Sequence, residues 1–218
     1  MLSRFQNLFG RKKAPRPTFT EEQYIEFQAK KEQGLQRVLG EMYHLVQHAI
    51  LPFQVGGAVD MYYFPDALDG TAFATMELIE PDGSGPKPSR IGAYELVAFT
   101  KLAIGDESRR EQFQQIERRM CGIFTTLGHH AREVQLNPLE TVEVHAEGEP
   151  NRCLILDAYA KPGTPFTIGD QKHGLLLVME VLRSEMDYAR KHGAAAVLAM
   201  LKEQGHYPYS DLDREAVV

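Results

Sequence analysis

The chain has 218 residues, of which 43% are hydrophobic and 25% are charged. This composition is that of a globular protein, and it excludes collagen-like, low-complexity and largely disordered classes. No apolar run approaches the roughly 20 residues that a membrane-spanning helix needs. The two cysteines, Cys121 and Cys153, are too few for a disulfide framework. We therefore predict a cytoplasmic protein with two core cysteines kept reduced.

The net charge of -6 combines a basic leader with an acidic remainder. Residues 1–17 contain five basic and no acidic side chains, and the rest of the chain contains 19 basic and 30 acidic ones, a balance of -11. Apolar residues recur at helical spacing in the leader, so it is either a solvated terminus or a short helix with weak contact to an anionic membrane surface. Pro15 and Pro17 mark its end. We predict a flexible leader over 1–17 and a single domain over 18–218.

The first folded element is predicted to be a long helix. Thr20 and Gln23 form a capping-box pattern at its start. Apolar residues between 35 and 49 follow a period of 3.6, which extends the helix almost to Pro52. Gly34 is a point at which this segment divides into two helices.

Three strands are predicted to follow the helix. Residues 59–64 and 71–79 are rich in aromatic and β-branched side chains and are bounded by glycine and proline. A long Pro/Gly loop is predicted over 81–92, and residues 93–104 are predicted to form the third strand, with a helix as the alternative.

The second half of the chain is predicted to alternate between helices and strands. The elements are a helix at 107–128, strands at 139–145, 153–159 and 174–182, and a helix at 184–204. The continuous apolar run of the last strand is typical of a strand covered on both faces. Ser184 is expected to cap the final helix and Gly205 to end it. This order predicts an α+β fold, with a mixed, mostly antiparallel sheet flanked by helices.

Glu41, His44 and His48 lie at positions i, i+3 and i+7 of the predicted first helix. Two histidines four residues apart, with a carboxylate nearby, can bind zinc. The order differs from the HExxH pattern, in which the glutamate stands between the histidines. A solvated polar face of the helix is the better explanation of the three residues. We predict no metal site and keep these residues only as metal candidates.

Asp60 and Asp157 lie in predicted strands beside the aromatic residues Tyr62 and Tyr159. A strand carboxylate in a cleft can act as an acid or base, but an outward-facing strand position explains these residues equally well. No pattern of a nucleophile, a phosphate-binding loop or paired carboxylates occurs, so we predict no catalytic residue and no cofactor. The four residues are candidates for partner binding. Nucleic acid is not an expected partner, because the balance of -11 opposes phosphate.

Several segments resemble the suppressor-of-fused (SUFU-like) domain family. The resemblance is carried by AVDMYYF at 58–64, by the strand at 73–79 followed by Tyr-Glu-Leu-Val at 94–97, and by residues 175–218. In the last stretch an apolar strand (LLLVMEVL) leads into Ser-Glu-Met-Asp, an alanine-rich helix and a closing Asp-Leu-Asp-Arg segment. The chain departs from the family at Glu77, where members often have a Gly-Met-Ser type segment.

The resemblance implies a SUFU-like fold of bacterial type and a non-enzymatic protein-binding function. Animal members resemble scaffolds that grip a short peptide of a transcription factor as an added strand, and bacterial-type members resemble immunity proteins that neutralise toxins. The implied partner is a protein, such as a basic toxin or a peptide strand. Two alternatives stay open: a hydrolase or nucleotide-acting enzyme with a site near Asp60 and Asp157, and a membrane-surface adaptor tethered by residues 1–17. The oligomeric state is also left open.

Overall fold

A seven-stranded mixed sheet forms the centre of the computed structural model, which describes residues 18–218 except Asp66, Glu147 and Glu149. The leader predicted over 1–17 lies outside the described residues. The strands are β1 (Val46–Gln47), β2 (Met61–Pro65), β3 (Thr71–Ala74), β4 (Tyr94–Thr100), β5 (Thr141–Val144), β6 (Arg152–Tyr159), β7 (Thr167–Ile168), β8 (Gln171–Lys172) and β9 (Gly174–Val181). The order in the large sheet is β1-β2-β3-β4-β9-β6-β5, and β7 and β8 form a separate hairpin. Only the β4–β9 pair is parallel within the described sheet, so the predicted α+β class with a mostly antiparallel sheet is confirmed.

Four described helices cover the two faces of the large sheet. They are α1 (Glu21–Leu39), α2 (Arg110–Ala131), α3 (Arg183–His192) and α4 (Ala194–Glu203). The first, third and fourth pack on one face and α2 packs on the other, so each face carries its own apolar core. The predicted central strand is confirmed, because all eight residues of β9 are buried.

The long first helix is shorter than predicted. The Thr20–Gln23 capping box is present, and the helix passes through Gly34 without a break. It ends at Gly40, whose φ of 96° favours glycine and whose N–H donates to the Gln36 carbonyl. The predicted helical extension to residue 49 is wrong. The chain beyond Gly40 instead runs beside β2, and Leu45 is exposed rather than part of a buried stripe.

Two further predictions need correction. The strand predicted over 71–79 ends at Ala74, and residues 75–79 are not part of a strand. The helix predicted over 184–204 is two helices, divided at Gly193, whose φ is 90°. The N-cap of α3 is Leu182 rather than Ser184, since the Glu185 carboxylate accepts a hydrogen bond from the Leu182 N–H at 2.9 Å.

Candidate functional site

The predicted partner-binding residues occupy two separate places in the sheet. Asp60 and Tyr62 lie at the β2 end of the strand order, whereas Asp157 and Tyr159 lie on β6. Strands β3, β4 and β9 stand between β2 and β6, which corresponds to about 19 Å at the usual spacing of strands. Asp60 and Asp157 therefore do not lie at one site.

A buried ion pair positions the first of these places, and no sequence pattern indicated it. The Lys31 ammonium donates to the carbonyls of Met76 (2.5 Å) and Ile79 (2.6 Å) and lies 3.3 Å from a Glu95 carboxylate oxygen. Both charged side chains are fully buried. A buried charge needs this kind of pairing and hydrogen bonding.

Glu95 completes the same network from β4. Its carboxylate accepts hydrogen bonds from the Thr75 hydroxyl (2.7 Å) and from the N–H groups of Leu78 (3.2 Å) and Ile79 (2.9 Å). The segment 75–79 is thus held between α1 and β4. This backbone path places Glu77 beside Tyr62.

Glu77, Asp60 and Tyr62 line a cleft of about 520 Å³, which we call the acidic cleft. It is lined by Tyr24, Ile25, Gln28, Ala29, Glu32, Gln54, Asp60, Tyr62, Met76 and Glu77. No lysine or arginine is among these lining residues. Asp60 is held in place by the Ala49 N–H, which donates to it at 2.8 Å, and by His48 Nδ1 at 2.7 Å.

Glu77 and Tyr62 both have strongly raised pKa values in the acidic cleft. Burial raises the pKa of Glu77 to about 8, and the negative charges of Glu95 and Asp60 act in the same direction. Tyr62 forms a hydrogen bond with Glu77, and burial followed by the Glu77 charge raises the pKa of its phenol. Glu77 is therefore largely protonated at neutral pH and can donate a hydrogen bond or a proton.

Three exposed apolar side chains are close in sequence to residues of the acidic cleft. Ile50 is fully exposed, and Leu51 and Val55 are exposed by 63% and 74%. Ile50 follows Ala49, which binds Asp60, and Val55 follows Gln54, which lines the cleft. We call the acidic cleft and these three residues the edge surface. Clustered exposed apolar groups beside polar ones are typical of binding surfaces.

The edge surface also includes a free side of the sheet. Val46 and Gln47 of β1 pair with Tyr62 and Met61, and no described strand pairs with the other side of β1. An edge strand of this kind can accept an added strand through main-chain hydrogen bonds.

The metal candidates do not converge. Glu41, His44 and His48 lie beyond the end of α1, so the helical spacing that grouped them does not exist. His48 contacts Asp60, while His44 packs against Tyr43 with ring centroids 4.3 Å apart. Among the described residues, no three His, Cys, Asp or Glu side chains are arranged to hold a metal ion.

Asp157 and Tyr159 have other surroundings. Asp157 accepts a hydrogen bond from the Tyr207 hydroxyl at 3.1 Å and lies 3.8 Å from the Lys202 ammonium, so it ties the end of α4 to β6. Tyr159 packs on Phe99, with ring centroids 4.7 Å apart, and lines a separate groove. The arrangement assigns Asp157 a structural contact and leaves Tyr159 at a second cavity.

No protein-family model matches this chain, and no curated protein matches it. In the part of the chain that the structure describes, no helix has the length and apolar character needed to cross a bilayer.

Proposed function

We propose that this chain is a non-enzymatic, SUFU-like protein-binding domain of the immunity type, which holds a basic, amphipathic segment of a partner such as a toxin. The observation that carries the proposal is the edge surface. There, exposed Ile50, Leu51 and Val55 adjoin a cleft whose ionisable lining is acidic or phenolic.

The apolar part of the edge surface supplies the affinity in this proposal. Burial of apolar surface yields about 25 cal/mol per Å², and hot spots of interfaces form where such groups fill pockets on a partner. The free side of β1 adds main-chain hydrogen bonds to an extended partner segment.

The acidic part supplies selectivity. Asp60 and Glu32 line a cleft without lysine or arginine, and the balance of -11 over residues 18–218 attracts a basic partner at long range. The proposal places the protein in the cytoplasm, where the free thiols of Cys121 and Cys153 stay reduced.

A photo-crosslinking amino acid at position 50, introduced into the full chain in its native cells, tests the proposal. We expect a specific protein adduct that disappears when Leu51 and Val55 are replaced by serine. The same crosslinker at Val134, which is also exposed but lies just beyond α2, is the matched control and should give no such adduct. Equal adducts at the two positions, or no protein adduct at position 50, would contradict the proposal.

A second candidate function is that of a hydrolase that uses Asp60 and Glu77. The observation in its favour is that these carboxyl groups share one cleft with Tyr62 and that Glu77 is a proton donor near neutral pH. Hydrolysis of chromogenic ester, glycoside and phosphate substrates is the test. An activity that Glu77→Gln abolishes and Glu203→Gln preserves would favour the enzyme over the binding domain.

The membrane-surface adaptor stays a prediction from the sequence of residues 1–17. Co-sedimentation of the full chain and of residues 18–218 with anionic liposomes tests it, and equal binding of the two would contradict it.

A further inference from the structure

A second cavity lies on a different part of the molecule from the edge surface. It is a groove of about 800 Å³ between the end of β6, the start of β9 and the loop that joins β6 to β7. We call it the basic groove. It is lined by Val38, Arg90, Ile91, Ala158, Tyr159, Ala160, Lys161, Pro162, Gly163, Thr164, Pro165, Phe166, Lys172, His173, Gly174 and Leu175. Its volume lies within the range of small-molecule sites, roughly 300–1,000 Å³.

The charged residues that line the basic groove are positive, although the domain as a whole is acidic. Its charged lining residues are Arg90, Lys161 and Lys172, and no aspartate or glutamate lines it. All three are exposed, and none makes an ion pair with a described residue, although the Arg90 guanidinium donates a hydrogen bond to the Pro138 carbonyl. Unpaired cations at a concave site favour an anionic ligand, because low-dielectric walls strengthen the attraction.

Ten of the 19 basic residues over 18–218 form an ion pair with a described acidic residue. Arg183 and Arg190 both bind Glu143, at 2.7 and 2.6 Å. Arg214 binds the buried Glu185 carboxylate through two nitrogen atoms. The other nine basic residues do not form such a pair, and what distinguishes the groove is that three of these cations line one cavity that no carboxylate lines.

The floor of the basic groove is apolar and aromatic. Tyr159 and Phe166 contribute rings, and the aliphatic side chains of Val38 and Leu175 complete the floor. Phe166 is held there because the hairpin of β7 and β8 packs on α1 at Gly34. A flat aromatic group can stack on such rings.

His173 adds a polar group that the fold leaves unsatisfied. Its Nε2 atom is buried and has no hydrogen-bond partner among the described residues, although the ring lines the groove. Burial lowers the pKa of the imidazole, so the ring is neutral at pH 7 and Nε2 can take part in one hydrogen bond. Buried polar atoms in native proteins are nearly always paired, and a ligand is one way to pair this atom.

We propose that the basic groove binds a nucleotide-sized organic phosphate, with its phosphate at Arg90, Lys161 and Lys172 and its ring on the aromatic floor. Arginine and lysine are the residues that hold phosphate oxygens in proteins. An inorganic anion would leave the aromatic floor uncovered, and a neutral ring would leave the cations unpaired. A nucleic-acid chain would bring many phosphates against a domain with a balance of -11.

The first test is calorimetric titration of the full chain with AMP, ATP, CTP, adenosine and tripolyphosphate at one fixed salt concentration. We expect at least one nucleotide to bind more tightly than both adenosine and tripolyphosphate, by about tenfold or more, which is a difference of about 1.4 kcal/mol. Binding of tripolyphosphate as tight as that of every nucleotide would overturn the proposal. So would the absence of nucleotide binding at millimolar concentration.

The second test uses charge-matched variants. Lys161→Ala with Lys172→Ala should weaken nucleotide binding by about tenfold, while Arg118→Ala with Lys191→Ala, which removes two exposed cations outside the groove, should leave it within about twofold. Equal loss in the two variants would indicate general charge attraction and overturn the site. Circular dichroism and the melting temperature establish that each variant is folded.

The third test uses NMR to determine whether the nucleotide binds next to His173. In NMR spectra of the imidazole nitrogens, the bound nucleotide should shift the signal of His173, which the His173→Gln variant identifies, and should leave that of the exposed His192 unchanged. A nucleotide that binds without moving the His173 signal would place the site elsewhere and overturn the proposal.

Discussion

Lys31 and Glu95 form a fully buried ion pair. The lysine compensates the glutamate charge and satisfies two carbonyls, while the glutamate satisfies a hydroxyl and two N–H groups. A buried pair of this kind adds little compared with apolar residues of the same size, but the loss of one member leaves a bare charge. The pair therefore determines the path of residues 75–79.

Replacement of Lys31 by methionine should lower the free energy of unfolding by about 3–5 kcal/mol, because the Glu95 charge is left buried without a counter-ion. Urea denaturation measures this change. Lys30→Met is the matched control: Lys30 is half-exposed and pairs only with Glu26 one turn away, so its midpoint should barely move. The double variant with Glu95→Met should recover part of the loss, and a loss equal to the sum of the two single changes would contradict the coupling.

The raised pKa of Glu77 predicts how the stability of the protein depends on pH. Its folded pKa of about 8 exceeds that of an unfolded glutamate, so the folded state holds an extra proton between about pH 4.5 and pH 8 and stability falls as the pH rises through this window. Each pKa unit corresponds to about 1.4 kcal/mol. Glu77→Gln should therefore stabilise the protein by at least about 1 kcal/mol at pH 9 relative to its effect at pH 5. Denaturation at both pH values tests this, with the exposed Glu203→Gln as control, and a pH-independent effect would count against the buried state of Glu77.

At the scale of the elements, two helix glycines, Gly34 and Gly122, differ in the space around them. A Cβ atom at Gly34 would lie 2.1 Å from the Thr167 carbonyl oxygen, whereas one at Gly122 in α2 would meet nothing within 4 Å. Gly34 thus permits the close approach of β7 to α1, and Gly122 has no packing role.

The two glycines should respond to alanine with opposite signs. Gly34→Ala should destabilise the protein by about 1–3 kcal/mol, because backbone must move to relieve the overlap. Gly122→Ala should stabilise it by about 0.5–1 kcal/mol, because alanine loses less conformational freedom in a helix. Thermal and urea denaturation give both values, and a neutral Gly34→Ala would show that β7 does not press on α1.

The contrast at Gly34 also shows what a sequence can predict for this fold. The sequence predicts strands β2, β4, β6 and β9 from alternation, aromatic content and apolar runs, because burial in a sheet produces a pattern among residues that are neighbours in the chain. The close approach at Gly34 depends on Thr167, which lies 133 positions away in the chain, so the glycine was misread as a helix break.

The end of α1 was missed for a related reason. Apolar residues up to 49 continue a helical period, but the backbone at Gly40 turns away and leaves Leu45 exposed. The same limit applies to the site. Asp60 and Tyr62 were chosen from their strand context, whereas Glu77 and its supporting pair, Lys31 and Glu95, come together only through long-range contacts.

At the scale of the whole molecule, α1 links the two cavities. Residues of its first half, including Gln28, line the acidic cleft, and Val38 near its end lines the basic groove. Ten residues separate these two positions, which is about 15 Å along a helix. One helix therefore stands between a cleft suited to a basic protein segment and a groove suited to an organic phosphate.

The C-terminal segment forms hydrogen bonds with the central strands β4 and β9. The Ser210 N–H donates to the Phe99 carbonyl of β4, and the Glu180 N–H of β9 donates to the Ser210 hydroxyl. Further on, Arg214 donates to both Glu185 oxygens at 2.5 and 2.8 Å, and the Val217 N–H donates to the same carboxylate at 3.1 Å. This buried carboxylate is the point at which the end of the chain is fastened.

The Glu185 contact makes the stability of the whole molecule sensitive to acid. Burial alone would raise the pKa of Glu185, but the hydrogen bonds from Arg214 and from the N–H groups of Leu182 and Val217 lower it below its usual range. The contribution of this carboxylate to stability is therefore fully present above the usual carboxyl pKa and is lost as the pH falls through the lowered value.

Arg214→Met should lower the free energy of unfolding by about 3–5 kcal/mol at pH 7, since the Glu185 charge stays buried without its partner. The difference from the native protein should shrink on acidification as Glu185 takes up a proton. Arg190→Met, which removes one of two arginines from the more exposed Glu143, should change the urea midpoint far less. A loss for Arg214→Met that is as large at low pH as at pH 7 would mean that packing of the arginine, and not its charge, holds the end of the chain.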